Sequence, residues 1–206
     1  MIKVISFDIG GTILLQEESN GYGIKELTNI LELPYEMVRK SYKHVFQTMK
    51  GDFKSLVDTF CSELKIECFP ELEKFFVNKF SSEREKLAPD VVSLIKDLKV
   101  KGYKVILFSN SCCLINNGSI KDLLSLVDDV FYSYDLGFTK DDKESYASVL
   151  EKLNVKPKEI LHIGDTLKSD YFKPLENGWN ALYLGKCEDK NVKNITKLSD
   201  LYNYLD

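Results

Sequence analysis

At four places the chain sets acid, hydroxyl, amide or amine side chains directly behind an apolar run. The first run ends in SFDIGGT, with Asp8, Gly10, Gly11 and Thr12; the second ends in FSN, with Ser109 and Asn110. The third leads to GFTK and Lys140, and the fourth to HIGD and Asp165, with Asp170 five residues later. Carboxylates gathered in one place repel one another unless a cation neutralises them, and an all-oxygen ligand set favours Mg²⁺. Such an ion screens and aligns an incoming phosphoryl group. Lys140, Ser109 and Asn110 would supply the remaining positive charge and hydrogen-bond donors. An aspartate held there can attack phosphorus and form an acyl phosphate. The Gly10–Gly11 turn lets backbone amides reach the phosphate with no Cβ in the way.

Each cluster also has an ordinary explanation. Ser–Asn at a strand end often caps a helix, Gly–Asp pairs mark turns, and a lysine after a glycine is usually solvated. What separates the readings is whether the clusters meet, so the elements that position them matter. Apolar, β-branched or aromatic runs at residues 2–7, 103–108, 130–133, 159–163 and 181–184 predict buried strands. Between them Val91, Ile95 and Leu98 share one helical face, and Tyr146, Val149, Leu150 and Leu153 another. Ile195, Leu198, Leu201, Tyr202 and Leu205 predict a closing amphipathic helix. Strands alternating with helices give an α/β fold, a Rossmann-like three-layer parallel sheet covered on both faces. The carboxyl ends of its strands share one edge, where ligands bind. All four clusters fall on that edge.

Residues 15–87 break the alternation. Their pattern is helical throughout, with Pro34 and Pro70 at helix starts and Asp52 as a cap. This predicts an all-helical domain inserted after the first strand, with residues 1–14 and 88–206 forming the core. Its aromatics at helical spacing read as core. Hinges are expected near residues 14–18 and 86–89.

Composition narrows the function classes. The chain has 206 residues, 44% hydrophobic and 12% aromatic, which excludes a disordered protein. Twenty-eight basic against 32 acidic side chains, well interspersed, give a net charge of −4 and argue against a nucleic-acid partner. No apolar run reaches membrane-spanning length, and MIKVISFD does not read as a signal peptide, so no membrane partner and a cytoplasmic location are expected. Five cysteines without a CxxC pair fit a reducing compartment and offer no zinc framework. The adjacent Cys112 and Cys113 read as turn residues, because a nucleophilic thiol would need a histidine and only His44 and His162 exist.

DIGGT (Asp8 to Thr12), the strand-end SN (Ser109, Asn110), DLGFTK ending at Lys140, and HIGDTLKSD with Asp165 and Asp170 together resemble the haloacid dehalogenase superfamily of hydrolases. The resemblance spans the chain, and the helical insertion is similar to the cap of the family's helical-cap subclass. It implies that Asp8 is the nucleophile and that Mg²⁺ is held by Asp8, the Gly10 carbonyl and Asp165. It implies that Ser109 and Lys140 bind the phosphoryl group of a small phosphorylated molecule. Asp170 would be a further metal-shell residue or a partner for Lys140. DIGGT alone also resembles the first phosphate motif of actin-like sugar kinases, but antiparallel strands should then follow it, and GDTLKSD would go unexplained.

One position departs from the family's phosphatases. Two residues after the nucleophile they carry a second aspartate, which protonates the leaving group and activates water; here that residue is Gly10. Its carbonyl can still reach a metal, but the acid/base carboxyl is gone, and such help contributes ~10²–10⁴-fold in rate. Three outcomes follow. The substrate has a good leaving group, such as an acyl phosphate. Or the insertion supplies the chemistry, as in relatives resembling phosphonoacetaldehyde hydrolase, with Lys50 or Lys54 forming a Schiff base. Or the chain binds a phosphorylated ligand and turns it over slowly or not at all.

Overall fold

Val4–Phe7 (β1) lies at the centre of the sheet with all four side chains buried, as a strand covered on both faces requires. The computed structural model describes residues 1–16, 23–81, 85–115 and 120–205. After β1 come β2 (Leu14–Gln16), α1 (Ile24–Leu31), α2 (Tyr35–Thr48), α3 (Phe53–Leu64), α4 (Pro70–Phe80) and β3 (Glu85–Leu87). The chain continues through α5 (Val91–Val100), β4 (Lys104–Ser109), α6 (Lys121–Leu124), β5 (Asp129–Tyr132), α7 (Ser133–Leu136) and α8 (Lys143–Leu153). It closes with β6 (Ile160–Gly164), a π-helical segment (Leu167–Phe172), α9 (Lys173–Glu176), β7 (Asn180–Leu184), β8 (Asn194–Ile195) and a 3₁₀ helix (Leu198–Tyr204).

Six strands pair in the order β5-β4-β1-β6-β7-β8, every pair parallel. The expected parallel α/β sheet is thus present, flanked by helices. Ile5, Phe7, Val105, Leu107 and Ile163 face α5 through Val91, Ile95 and Leu98. Val4, Ile106, Phe108 and Ile160 face α8 through Tyr146 and Val149, with Trp179 in the same cluster. This period-two alternation places Ser6 and His162 on the α8 side, opposite each other in the β1–β6 register.

Two expectations need correction. The insertion is not helical from end to end: β2 and β3 pair antiparallel, Leu14 with Leu87 and Gln16 with Glu85, where the chain leaves and rejoins the core. Three-residue strands are too short to show a period. The closing helix is likewise shorter than its apolar pattern predicts. Ile195 is spent in β8, beside Leu184 of β7; Leu198, Leu201 and Tyr202 lie in the 3₁₀ helix, and Leu205 follows it in extended backbone. Asp200 accepts the Thr196 and Lys197 amides, which starts that turn after Ile195.

The four helices between β2 and β3 have their own core, built on Leu27, Val38, Phe46, Phe60 and Phe76. The Phe46 ring lies 4.5 Å from Phe76 and 5.4 Å from Phe60, centre to centre. Asp52 caps α3 by accepting the Ser55 amide at 2.8 Å, and Pro70 opens α4. Of the expected hinges, residues 86–89 and 14–16 lie in or beside this strand pair, while residues 17 and 18 fall outside the described residues.

Candidate active site

β1 delivers Asp8 to the carboxyl edge of the sheet, its amide bound to the Ile163 carbonyl of β6 at 2.9 Å. The chain then turns sharply. The Ile13 and Leu14 amides fold back on the Ile9 carbonyl at 3.0 and 2.8 Å, and Gly11 takes a φ of +75°. That conformation favours glycine. Space demands glycine as well, because a Cβ on Gly11 would meet Asp165 Oδ2 at 2.2 Å. Gly10 is exposed, and a Cβ there would meet nothing within 4 Å among the described residues.

Lys140 lies on the loop between α7 and α8 and is 1% exposed. Its amine bonds Asp8 Oδ1 at 2.6 Å and Asp170 Oδ1 at 2.7 Å, and sits 5.5 Å from the centre of the Phe108 ring. The loop that presents it is tied at three points. Asn110 Oδ1 accepts the Lys140 amide at 2.9 Å, Tyr146 donates its hydroxyl to the Lys140 carbonyl at 3.0 Å, and Asp142 accepts from both Thr139 donors. Asn110 therefore spends its carbonyl oxygen on holding the lysine loop. Ser109 closes β4, is buried, and among the described residues its hydroxyl has no protein partner.

Asp165 follows β6, and Thr12 donates to its Oδ1 at 3.5 Å. Asp170 comes from the π-helical turn beyond it. Its Oδ2 accepts the Thr166 amide at 2.9 Å, and its Oδ1 accepts from Lys140 and, at 3.4 Å, from His162 Nε2. A Cβ on Gly164 would meet the Asp170 side chain at 2.5 Å, so that glycine lets the turn close. One oxygen each from Asp8, Asp165 and Asp170 lies within 4.8 Å of the others, an arrangement able to hold a metal ion. Two segments far apart in sequence thus bring three carboxylates to one point, with Lys140 against two of them.

Electrostatics separate the three. Burial raises the Asp8 carboxyl, and Asp170 adds to the rise against the pull of Lys140. Burial and then Asp170 raise Asp165 in the same direction. Burial works on Asp170 too, but Lys140 and His162 outweigh it and hold that carboxyl well below the usual range. For Lys140 the cost of burial is overcome by Asp170 and Asp8, and its amine stays protonated to higher pH than usual. Burial thus favours the protonated form of Asp8 and Asp165, while Asp170, paired with Lys140 and His162, stays ionised.

Other candidates lie elsewhere. Lys50 pairs with Asp135 at 2.5 Å and Lys54 with Asp58 of its own helix at 2.5 Å, both largely exposed. His44 is exposed and bonded to Glu63. Cys112 packs into the core of the insertion, and burial pushes its thiol up to about 12, which leaves no thiolate at neutral pH. His162, which strand periodicity alone could set on either face, is fully buried and joined to Asp170. On the insertion side, Glu36, Arg39, Lys40 and Lys43 of α2 line a cleft of about 460 Å³ against Gly137, Phe138, Thr139 and Asp142. No helix among the described residues is long and apolar enough to cross a membrane.

The family model for haloacid dehalogenase-like hydrolases matches residues 2–171, and the chain belongs to that family. It is a hydrolase. An enolase-phosphatase E1 from Hydrogenobaculum sp. (strain Y04AAS1) is 25% identical, covering 97% of this chain and 100% of its own. A family enzyme from Bacteroides thetaiotaomicron, solved with magnesium and inorganic phosphate, superposes with a TM-score of 0.65 at 18% identity, covering 92% and 98% of the two chains. A 2-haloacid dehalogenase from Pseudomonas syringae pv. tomato DC3000 gives 0.62 at 18% identity, over 100% and 98%. A family enzyme solved with magnesium and phosphate and a dehalogenase thus share this fold.

Proposed function

We propose that this hydrolase removes the phosphoryl group of a small phosphorylated molecule in a Mg²⁺-dependent reaction, through an aspartyl phosphate on Asp8. The observation that carries the reading is the Asp8–Lys140–Asp170 chain with Asp165 alongside. The donor set suits Mg²⁺: one oxygen from each of three carboxylates lies within 4.8 Å of the others, and burial with the neighbouring Asp170 charge raises Asp8 and Asp165. Asp8, Asp165 and the Gly10 carbonyl would hold the ion, and when bound it offsets charge on the phosphoryl oxygens. Asp170 has partners on both oxygens, which favours it as the anchor of Lys140 over a ligand. The Bacteroides relative, solved with magnesium and phosphate, provides a parallel on the same fold.

In this scheme Lys140 occupies Asp8 Oδ1 and leaves Oδ2, which has no partner among the described residues, to attack phosphorus. The P–O bond to the leaving group breaks and the leaving group departs with the electron pair. Water then attacks phosphorus, the bond to Asp8 breaks, and phosphate is released. Lys140 and the Ser109 hydroxyl bind the phosphoryl oxygens, with amides of the Gly11–Thr12 turn. Asn110 acts by fixing the Lys140 loop. The four-helix insertion serves as a cap.

Gly10 sets the substrate class. Residue 10 has no carboxyl to protonate a leaving group, so an acyl phosphate or anhydride should turn over far better than an alkyl phosphate. Halide displacement needs no cation and would leave the three carboxylates unexplained. Schiff-base chemistry is disfavoured by the ion pairs of Lys50 and Lys54. The test is phosphate release from acetyl phosphate and from an alkyl phosphate, with Mg²⁺ or with EDTA, in wild type and Asp8→Asn. Release confined to Mg²⁺ and wild type is expected. Release that survives Asp8→Asn refutes the nucleophile, and ligand stabilisation without any release would mark a binding protein instead.

A further inference from the structure

The scheme above leaves one buried polar pair unused. His162 and Ser6 are both 0% exposed, neighbours across β1 and β6, with Ser6 Oγ 2.8 Å from His162 Nδ1. The other ring nitrogen, Nε2, lies 3.4 Å from Asp170 Oδ1, the same oxygen that accepts from Lys140. Two strand residues deep in an apolar layer pay a desolvation cost to be there.

We propose that His162 is a positioning residue that, backed by Ser6, fixes Asp170 and through it aims the Lys140 amine at Asp8. The direction of each hydrogen bond follows from chemistry. Asp170 receives Lys140 and the Thr166 amide, so it is an ionised acceptor and the facing Nε2 carries the ring proton. In a neutral ring Nδ1 is then bare and accepts the Ser6 hydroxyl. The path runs Ser6 O–H to Nδ1, Nε2–H to Asp170 Oδ1, and from Lys140 Nζ to both Asp170 and Asp8. Without His162, Oδ1 keeps only Lys140 as a donor among the described residues, and the carboxylate can rotate about its Thr166 anchor, carrying the amine with it. The ring also stands 5.9 Å from Phe108, whose face lies under the Lys140 amine, so its plane is set by packing as well.

This assignment rests on the Asp8–Lys140 chemistry proposed above, and its test has a readout independent of turnover. His162→Phe keeps the volume and loses both polar atoms, while His162→Gln keeps an N–H that can reach Asp170. With acetyl phosphate and Mg²⁺, kcat should fall in His162→Phe on the order of 10- to 100-fold, with KM changed less than threefold. His162→Gln should recover most of that loss. In parallel, ¹⁵N-lysine NMR should show the buried Lys140 amine as a slowly exchanging resonance, identified by its loss in Lys140→Ala. That resonance should vanish in His162→Phe and persist in His162→Gln. Emission of Trp179, the only tryptophan and 6.3 Å from the His162 ring, checks that each variant is folded.

Phe and Gln variants with equal kcat and equal lysine spectra would overturn the proposal, since a residue that only fills space cannot tell them apart. If His162→Phe fails to fold, Ser6→Ala decides. A reduced kcat with a broadened Lys140 resonance upholds the path, and wild-type behaviour in both overturns it. Should wild type release no phosphate, the phosphatase reading fails alone, and the lysine spectra still decide whether His162 holds Lys140.

Discussion

A methyl group on Gly11 would lie 2.2 Å from Oδ2 of Asp165. The turn after β1 and the carboxylate after β6 are therefore built to one another's dimensions. A side chain at residue 11 must displace the Asp165 carboxyl, as well as bear a φ of +75°. Gly11→Ala should cost about 1–2 kcal/mol in denaturant unfolding and, more tellingly, remove the stabilisation given by Mg²⁺. An Ala variant with wild-type Mg²⁺ response would show that Asp165 does not hold the ion.

Gly10 is the counter-case. Among the described residues nothing lies within 4 Å of where its Cβ would stand, so Gly10→Asp should fold normally. It should raise hydrolysis of an alkyl phosphate by at least tenfold, toward the ~10²–10⁴-fold of general acid–base help, and leave acetyl phosphate nearly unchanged. Steady-state rates on the two substrates check this directly. An unchanged ratio would place the leaving-group proton elsewhere.

Proton and metal should compete. The folded protein raises the pKa of Asp8 and Asp165 above the unfolded value near 3.8, so without metal it binds these protons more tightly than the unfolded chain. Their contribution is destabilising above the raised pKa and fades as pH falls through the window down to 3.8. Asp165→Asn should thus stabilise the metal-free protein near neutral pH, and its advantage over wild type should shrink on acidification. The thermal shift given by Mg²⁺ at 100 times its Kd, worth about 2.7 kcal/mol, should shrink over the same window and be absent in Asp165→Asn. Melting curves with EDTA and with Mg²⁺ across that range test both signs.

Lys43 of α2 reaches Asp141 of the core at 2.5 Å, beside Lys140 in sequence, and Asp141 also faces Lys168 at 3.4 Å. Both partners are about four-fifths covered, unlike the exposed pair of Lys50 and Asp135. Asp141→Asn should loosen α2 from the core by about 1 kcal/mol, seen as a roughly fivefold rise in amide exchange along α2. Asp135→Asn should change it little.

Much of the site is legible in the sequence, because the strand runs are apolar and a parallel sheet sends their polar ends to one edge. Asp8, Lys140, Asp165 and Asp170 meet there as their positions predict. What lies beyond reach depends on side-chain direction or on pairing at long range. His162 reads as one polar residue in an apolar strand, and only the register with Ser6 gives it a partner. Asn110 offers an oxygen and a nitrogen, and the fold, not the SN pair, decides that the oxygen serves the Lys140 amide. Strands β2, β3 and β8 are two or three residues long, below the length at which alternation can be counted.

The β2–β3 pairing has a consequence for how such a protein can be altered. Leu14 and Leu87 sit directly across from one another, so the helical unit departs and returns through a single doorway. A short turn joining those two residues would excise the whole unit without reordering one strand of the main sheet, and a foreign unit could be grafted between them. The helical unit and the main sheet are, in this architecture, separately replaceable parts.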